Sequence, residues 1–159
     1  MRLTSKSQYG LLVLAEMVRN YRSGGQRFIQ ISELAAHCNT SAKYLEQVLL
    51  PLTHSGILES KRGASGGYRL GMAPDKITLG DALRRLDGRL MPIPKWAEGP
   101  TASGSGGDLT SFGEVLYKVR DSIRAILDTT CLDVLATHGE GQSDLTREKE
   151  DLESLTYYI

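Results

Sequence analysis

The sequence is short of cysteine and histidine and has no long apolar run, and each shortage removes a class of protein. Only two of its 159 residues are cysteine, Cys38 and Cys131. They match no zinc or disulfide framework, which favours a reducing compartment over a secreted, disulfide-stapled existence. No apolar run approaches the roughly 20 residues that a membrane helix needs, and the opening MRLTSKSQYG lacks the shape of a secretory signal. A soluble cytoplasmic protein is expected. The histidines are His37, His54 and His138, and none has an acid or thiol partner at a convincing spacing. His37 and Cys38 are neighbours, but adjacent helical residues point about 100° apart and form no dyad. The expectation is no enzyme, no catalytic residues and no metal site.

Net charge is also missing, but here the total conceals the pattern. The chain carries 19 basic and 19 acidic residues. Cut at Lys95, its first part holds 14 Lys and Arg against 7 Asp and Glu, a net +7, and the remainder holds 5 against 12, a net −7. A basic half beside an acidic half suggests that the first meets a polyanion and the second something else, although a charge balance that merely keeps the protein soluble would look the same.

At this length the chain can bury one real core, with residues left over for an appendage. Thr4 can cap a first helix that turns Tyr9, Leu12, Val13 and Met17 inward and ends near Ser23-Gly24-Gly25. A short second helix follows with Ser32 as its expected cap, then a polar turn, Asn39-Thr40-Ser41. A third helix runs through AKYLEQVLLPLTHS, with Leu45, Val48, Leu49 and Leu52 at i, i+3, i+4 and i+7, and Pro51 is read as a kink. After Gly56 the period changes, and ILESKR and YRLGM read as strands of a hairpin joined by GASGG. Thr78 and Asp81 make a capping-box start for a fourth helix. The stretch PIPKWAEGPTASGSGGD has the composition of a linker or mobile loop. Ser111 and Glu114 then read as the capping box of a long helix whose seam is Phe112, Val115, Leu116, Val119, Ile123, Ile126 and Leu127, a surface that a second copy of the chain would cover.

Two short helices joined by a tight polar turn, with a basic hairpin directly after the third helix, spell a winged helix-turn-helix. Burial of the leucine and valine stripe leaves Ser41, Lys43, Tyr44, Glu46 and Gln47 near the outward end of the third helix. In this motif that end enters the major groove, where amides and carboxylates read base edges and hydroxyls hold phosphate. Lys61, Arg62 and Gly63 open the hairpin tip, which has little side-chain bulk and can lie along a sugar-phosphate backbone or send an arginine into the minor groove. An ordinary solvated helix and a plain surface hairpin are the competing readings. GASGG is no nucleotide loop, because it lacks the Gly-Lys-Ser/Thr ending and leads into a strand.

MRLTSKSQYGL, YLEQVLLPL, SGIL, KRGASGGYRL and ITLGDALRRLDG resemble the Rrf2 family of bacterial winged-helix repressors over essentially residues 1 to 90. The resemblance implies a homodimer bound to an imperfect palindrome in double-stranded DNA, with Arg62 in the minor groove and Arg2, Lys6 and Tyr9 near phosphate. Many members ligate an iron-sulfur cluster through three cysteines in the loop after the fourth helix; here residues 90 to 110 contain none, so no cofactor is expected. RDSIRAILDTTCLDVLA and the Tyr-Ile ending resemble the CymR branch, repressors of cysteine metabolism that work with cysteine synthase. Tyr157, Tyr158 and Ile159 are then the expected partner-binding residues, unless they fold back on the protein itself. The expected fold is mainly α with a small β-hairpin wing, divided into a winged helix-turn-helix domain (1–89), a flexible linker (90–110), a dimerisation helix region (111–138) and an acidic tail (139–159). A protein-interaction adaptor and an RNA-binding winged helix, neither binding an operator, are the alternatives.

Overall fold

The computed structural model describes residues 3–24, 26–89, 92 and 107–136. Helix α1 is Ser5–Arg22, α2 is Ile31–His37 and α3 is Ala42–His54. Strands β1 (Leu58–Lys61) and β2 (Gly67–Leu70) form an antiparallel hairpin in the register Leu58 opposite Leu70 and Lys61 opposite Gly67. A 3-10 helix at Pro74–Lys76, helix α4 (Leu79–Asp87), helix α5 (Gly107–Thr129) and a 3-10 helix at Leu132–Ala136 complete the described chain. Among the described residues no helix is long and apolar enough to cross a membrane.

Local chemistry starts α1 and α4. Thr4 caps α1 by accepting a hydrogen bond from the Ser7 amide, and Thr78 caps α4 by accepting one from Asp81. Helix α2 ends in a Schellman turn. The Thr40 amide donates to the Ala35 carbonyl at 3.0 Å and the Asn39 amide to that of Ala36 at 3.2 Å, while Asn39 takes the left-handed conformation with φ of 49°. That turn sends the chain into α3, which continues through Pro51.

Two expected starts are corrected. Helix α2 begins at Ile31 with Gln30 as its cap residue, not Ser32, and Gln30 gives no side-chain cap bond. The cause is non-local: Ile29 exchanges two 2.8 Å backbone hydrogen bonds with Tyr68 of the hairpin, which holds the chain extended up to Gln30. Helix α5 begins at Gly107, so position 111 is helical instead of capping, and 107–110 belong to the helix, not to the linker.

The core joins Val13, Leu14, Met17 and Val18 of α1 to Leu34 of α2, the α3 stripe of Leu45, Val48, Leu49 and Leu52, and Leu86 of α4. Leu132 is also fully buried in it. The chain that leaves α5 thus returns to the first module instead of remaining with the long helix. The Leu79 amide donates to the Thr130 carbonyl and the Leu132 amide to that of Ile77, both at 2.8 Å, while Arg22 donates to the Asp133 carbonyl at 2.9 Å. Truncating a buried leucine loses its transfer energy and leaves a cavity, so Leu132→Ala should destabilise the fold by about 2 to 5 kcal/mol. Urea denaturation of the two proteins measures this, and a loss below about 1 kcal/mol would show that the returning segment is not part of the core.

Candidate nucleic-acid interface

Helix α3 divides its residues by chemistry. Leu45, Val48, Leu49 and Leu52 are buried, whereas Ser41, Lys43, Glu46 and Gln47 are exposed at its N-terminal half. Ser41 caps the helix by accepting from the Tyr44 amide at 3.2 Å, which leaves its O–H able to donate outward. Tyr44 is half-buried and meets Tyr9 of α1 edge-to-face, with ring centroids 5.5 Å apart. The apposed rings help fix α1 against the start of α3. Lys6, also half-buried, lies on the first turn of α1. Arg2 lies outside the described residues.

The wing stands beside α3. Glu46 shares a cleft of about 560 Å³ with Gln30, Ser60, Lys61, Arg62 and Tyr68, among others. Burial, and after it the Glu46 carboxylate, push the Tyr68 phenol above its usual range. Gly63, with φ of 101°, starts the tip in a conformation that disfavours side chains. The Gly66 amide closes the turn on the Gly63 carbonyl at 2.9 Å.

Lys61 and Arg62 are exposed at this tip. Arg69 is not a tip residue. It sits in β2 opposite Glu59, donates to that carboxylate at 2.8 and 3.0 Å, and stacks 4.5 Å from the centre of the Phe28 ring. The cations at the tip are therefore Lys61 and Arg62.

Several residues here carry no motif in the sequence. Gln30 donates its side-chain amide to the Ala64 carbonyl of the wing turn at 2.8 Å, and Phe28 lies under Lys61 as well as Arg69. The alternation in RFIQ, placing Phe28 and Gln30 on one side of an extended chain and Ile29 on the other, is the signal that could have revealed them. His37 does have an acidic neighbour, Glu16 of α1 at 3.7 Å, which spacing along the chain could not show.

The α5 seam separates into two rows. Val115, Val119 and Ile126 are 53%, 43% and 64% exposed, and at 100° per residue they lie within about 40° of one another. Phe112 is likewise about half exposed. Leu116, Ile123 and Leu127 are half-buried within the single chain, and Asp128 at the end of the helix pairs with Arg84 of α4 at 2.6 Å. Tyr157, Tyr158 and Ile159 lie outside the described residues, as does His138.

A helix-turn-helix with a cationic wing beside its second helix, followed by a long helix with an exposed apolar row, defines a winged-helix regulator of transcription. A family model described as "Rrf2: Iron-dependent Transcriptional regulator" matches residues 3–138, and the chain belongs to the Rrf2 family. The HTH-type transcriptional regulator CymR of Bacillus subtilis strain 168 is 33% identical over 144 residues, covering 91% of this chain and 96% of that protein. The solved structure of CymR, the global cysteine regulator of B. subtilis, matches with a TM-score of 0.72 at 32% identity, over 88% of this chain and 99% of that one. T. potens IscR matches with a TM-score of 0.65 at 28% identity, over 89% and 94% of the two chains.

The family description names iron, and the residues of this chain do not fit a cysteine-ligated iron centre. Residues 90 to 110 contain no cysteine, and thiolates are what anchor an iron-sulfur cluster. Of the two cysteines, Cys38 is buried in the core, where desolvation, and then the nearby Glu16 charge, push its thiol above the usual range. Cys131 is engaged through its backbone in a bridge to Thr78. Among the described residues no group of three His, Cys, Asp or Glu is placed to hold a metal ion.

Proposed function

We propose that this chain is a homodimeric cytoplasmic repressor that binds an imperfect palindrome in duplex DNA through α3 and the wing. The observation that carries the reading is that α3 exposes Ser41, Lys43, Glu46 and Gln47 along its N-terminal half, and that Glu46 among them shares one cleft with Lys61 and Arg62 of the wing. The helix offers donors and acceptors for base edges in the major groove, and the adjoining tip offers two cations for phosphate or for the minor groove. Lys6 and Tyr9 on α1, together with Arg2, are assigned to the flanking phosphates. Binding of this kind releases counterions and weakens steeply with salt.

Selection of genomic duplex fragments by the purified protein tests the reading directly. A preference for RNA or single strands, or for no nucleic acid, would favour the RNA-binding or adaptor alternative. On a selected duplex, Arg62→Ala should weaken binding by roughly 1 to 3 kcal/mol in a fluorescence titration; unchanged affinity would remove Arg62 from the interface.

The second copy is assigned to the exposed row of α5. Three half-exposed aliphatic side chains on one stripe suit a helix that buries them against its twin, and the half-buried row of Leu116, Ile123 and Leu127 would flank that contact. Ile126→Glu places a carboxylate where burial would leave it unpaired. Sedimentation at micromolar concentration should show a folded monomer, and a persistent dimer would show that the copies meet elsewhere.

Likeness to CymR over nearly the full chain supports regulation of cysteine or sulfur metabolism with cysteine synthase as corepressor. Tyr157, Tyr158 and Ile159 are the residues assigned to that partner: two aromatic rings and a branched aliphatic side chain offer apolar area after the charged SDLTREKEDLES. Removing residues 157–159 should abolish cysteine synthase binding in calorimetry while leaving affinity for a selected duplex intact. Undiminished enzyme binding would place the partner's contact elsewhere on the chain.

A further inference from the structure

We infer that residues 28–30 are the positioning strand of the wing, and that Gln30 and Phe28 govern duplex affinity by fixing the tip that carries Arg62 without touching the duplex themselves. The inference rests on the DNA-binding reading above and adds to it residues that lie outside both the helix-turn-helix and the hairpin.

Three consecutive residues hold three different parts of the wing. The Phe28 ring contacts both strands, with Lys61 Nζ of β1 at 5.8 Å and Arg69 Cζ of β2 at 4.5 Å from its centroid; both are cation-π distances. Ile29 pairs with Tyr68 through two backbone hydrogen bonds of 2.8 Å and so adds a third strand position to the hairpin. Gln30 reaches the turn itself and donates to the Ala64 carbonyl at 2.8 Å. The approach is so close that a Cβ at Gly67 would lie 2.2 Å from the Ile29 carbonyl oxygen, which restricts that position to glycine.

A hairpin with four paired positions is marginal by itself, because an isolated two-stranded ribbon is poorly stable in water. Its tip needs an external hold if Arg62 is to stand at a fixed distance from α3. Gln30 supplies that hold from the cap position that immediately precedes α2. One residue therefore ties the wing tip to the helix-turn-helix. Its side chain is not needed for α2, since the cap at Gln30 makes no side-chain hydrogen bond, and the residue is exposed. Removing the amide should release the turn while leaving the fold intact.

The test uses Gln30→Met, which keeps the length of the side chain and loses the donor, together with Arg62→Ala and the double variant. Two readouts are taken: affinity for a duplex selected by the wild-type protein, and hydrogen exchange of the Gly66 amide in the free protein. Loss of one hydrogen bond predicts roughly two- to tenfold weaker binding for Gln30→Met, with an unchanged melting temperature and faster exchange at Gly66. Because Gln30 acts through the tip, Arg62→Ala should cost less in the Gln30→Met background than in the wild type. Phe28→Leu should show the same coupling. If the Gln30 and Arg62 effects multiply independently, Gln30 touches the duplex or acts elsewhere, and unchanged Gly66 exchange shows that it does not hold the turn; either result overturns the inference. A wild-type protein that selects no duplex defeats the DNA reading, and the role in affinity with it, while Gly66 exchange still decides whether Gln30 holds the tip.

Discussion

Burial of Leu45, Val48, Leu49 and Leu52 on one side of α3 determines what the rest of the molecule can present. All four are essentially inaccessible, and each contributes about 1.5 to 3 kcal/mol relative to an exposed position. Rotating the helix by one residue would bring Glu46 toward the core and expose leucine, adding the cost of an unpaired buried carboxylate to the lost burial. The orientation is consequently fixed, and Lys43, Glu46 and Gln47 face outward because nothing else is compatible with the core. The Schellman turn at Asn39 and the Ser41 cap then set where the helix begins, and one turn further on Glu46 lines the cleft beside the wing.

Electrostatics adds little to this frame but joins its parts. Arg84 donates to Asp81 at 2.8 Å within α4 and to Asp128 of α5 at 2.6 Å. The Arg84 guanidinium holds the Asp81 carboxyl below its usual range, so this contact stabilises the fold above the ordinary carboxylate pKa and is lost as acid titrates the depressed group. Asp81 is half-exposed, and solvent screening keeps the contribution small. The Arg84–Asp128 contact acts through geometry: it registers α5 against α4 near the point where the Thr130 carbonyl accepts from the Leu79 amide.

What could be read from the sequence follows from how far apart the cooperating residues lie. Thr4 and Thr78 lie within three residues of the amides they cap, the α3 stripe repeats with the helical period, and GASGG marks its own turn. All of these were legible. The start of α2 was misread at Ser32 because a strand pairing 39 residues away, Ile29 with Tyr68, keeps Gln30 extended. The beginning of α5 was misread at Ser111, where a good capping pattern is overridden by a helix that already started at Gly107. Leu132 looked like a continuation of the dimerisation region, yet it completes a core begun more than a hundred residues earlier. The candidate interface was legible in its polar face and basic tip, whereas Phe28, Gln30 and the Arg69–Glu59 pair became visible only once the hairpin was placed against residues 28–30.

The same long-range contacts give the molecule a continuous mechanical path from α5 to α3. Asp128 and Thr130 attach the end of α5 to α4. At the other end of α4, Asp87 accepts a 2.5 Å hydrogen bond from the Thr4 hydroxyl, placing a carboxylate at the positive end of α1. Tyr9 on α1 then meets Tyr44 on α3. No link in this series is a flexible linker; each is a packed ring pair, a backbone hydrogen bond or a charge-assisted hydrogen bond. In the proposed dimer, two copies joined along α5 would therefore hold their α3 helices at a separation fixed by these contacts. A palindrome demands such a separation, because its half-sites recur at about 34 to 36 Å or multiples of it. The long helix would act as a ruler, and the accuracy of that ruler would depend on Arg84, Thr4 and Tyr44 as much as on the apolar row that joins the copies.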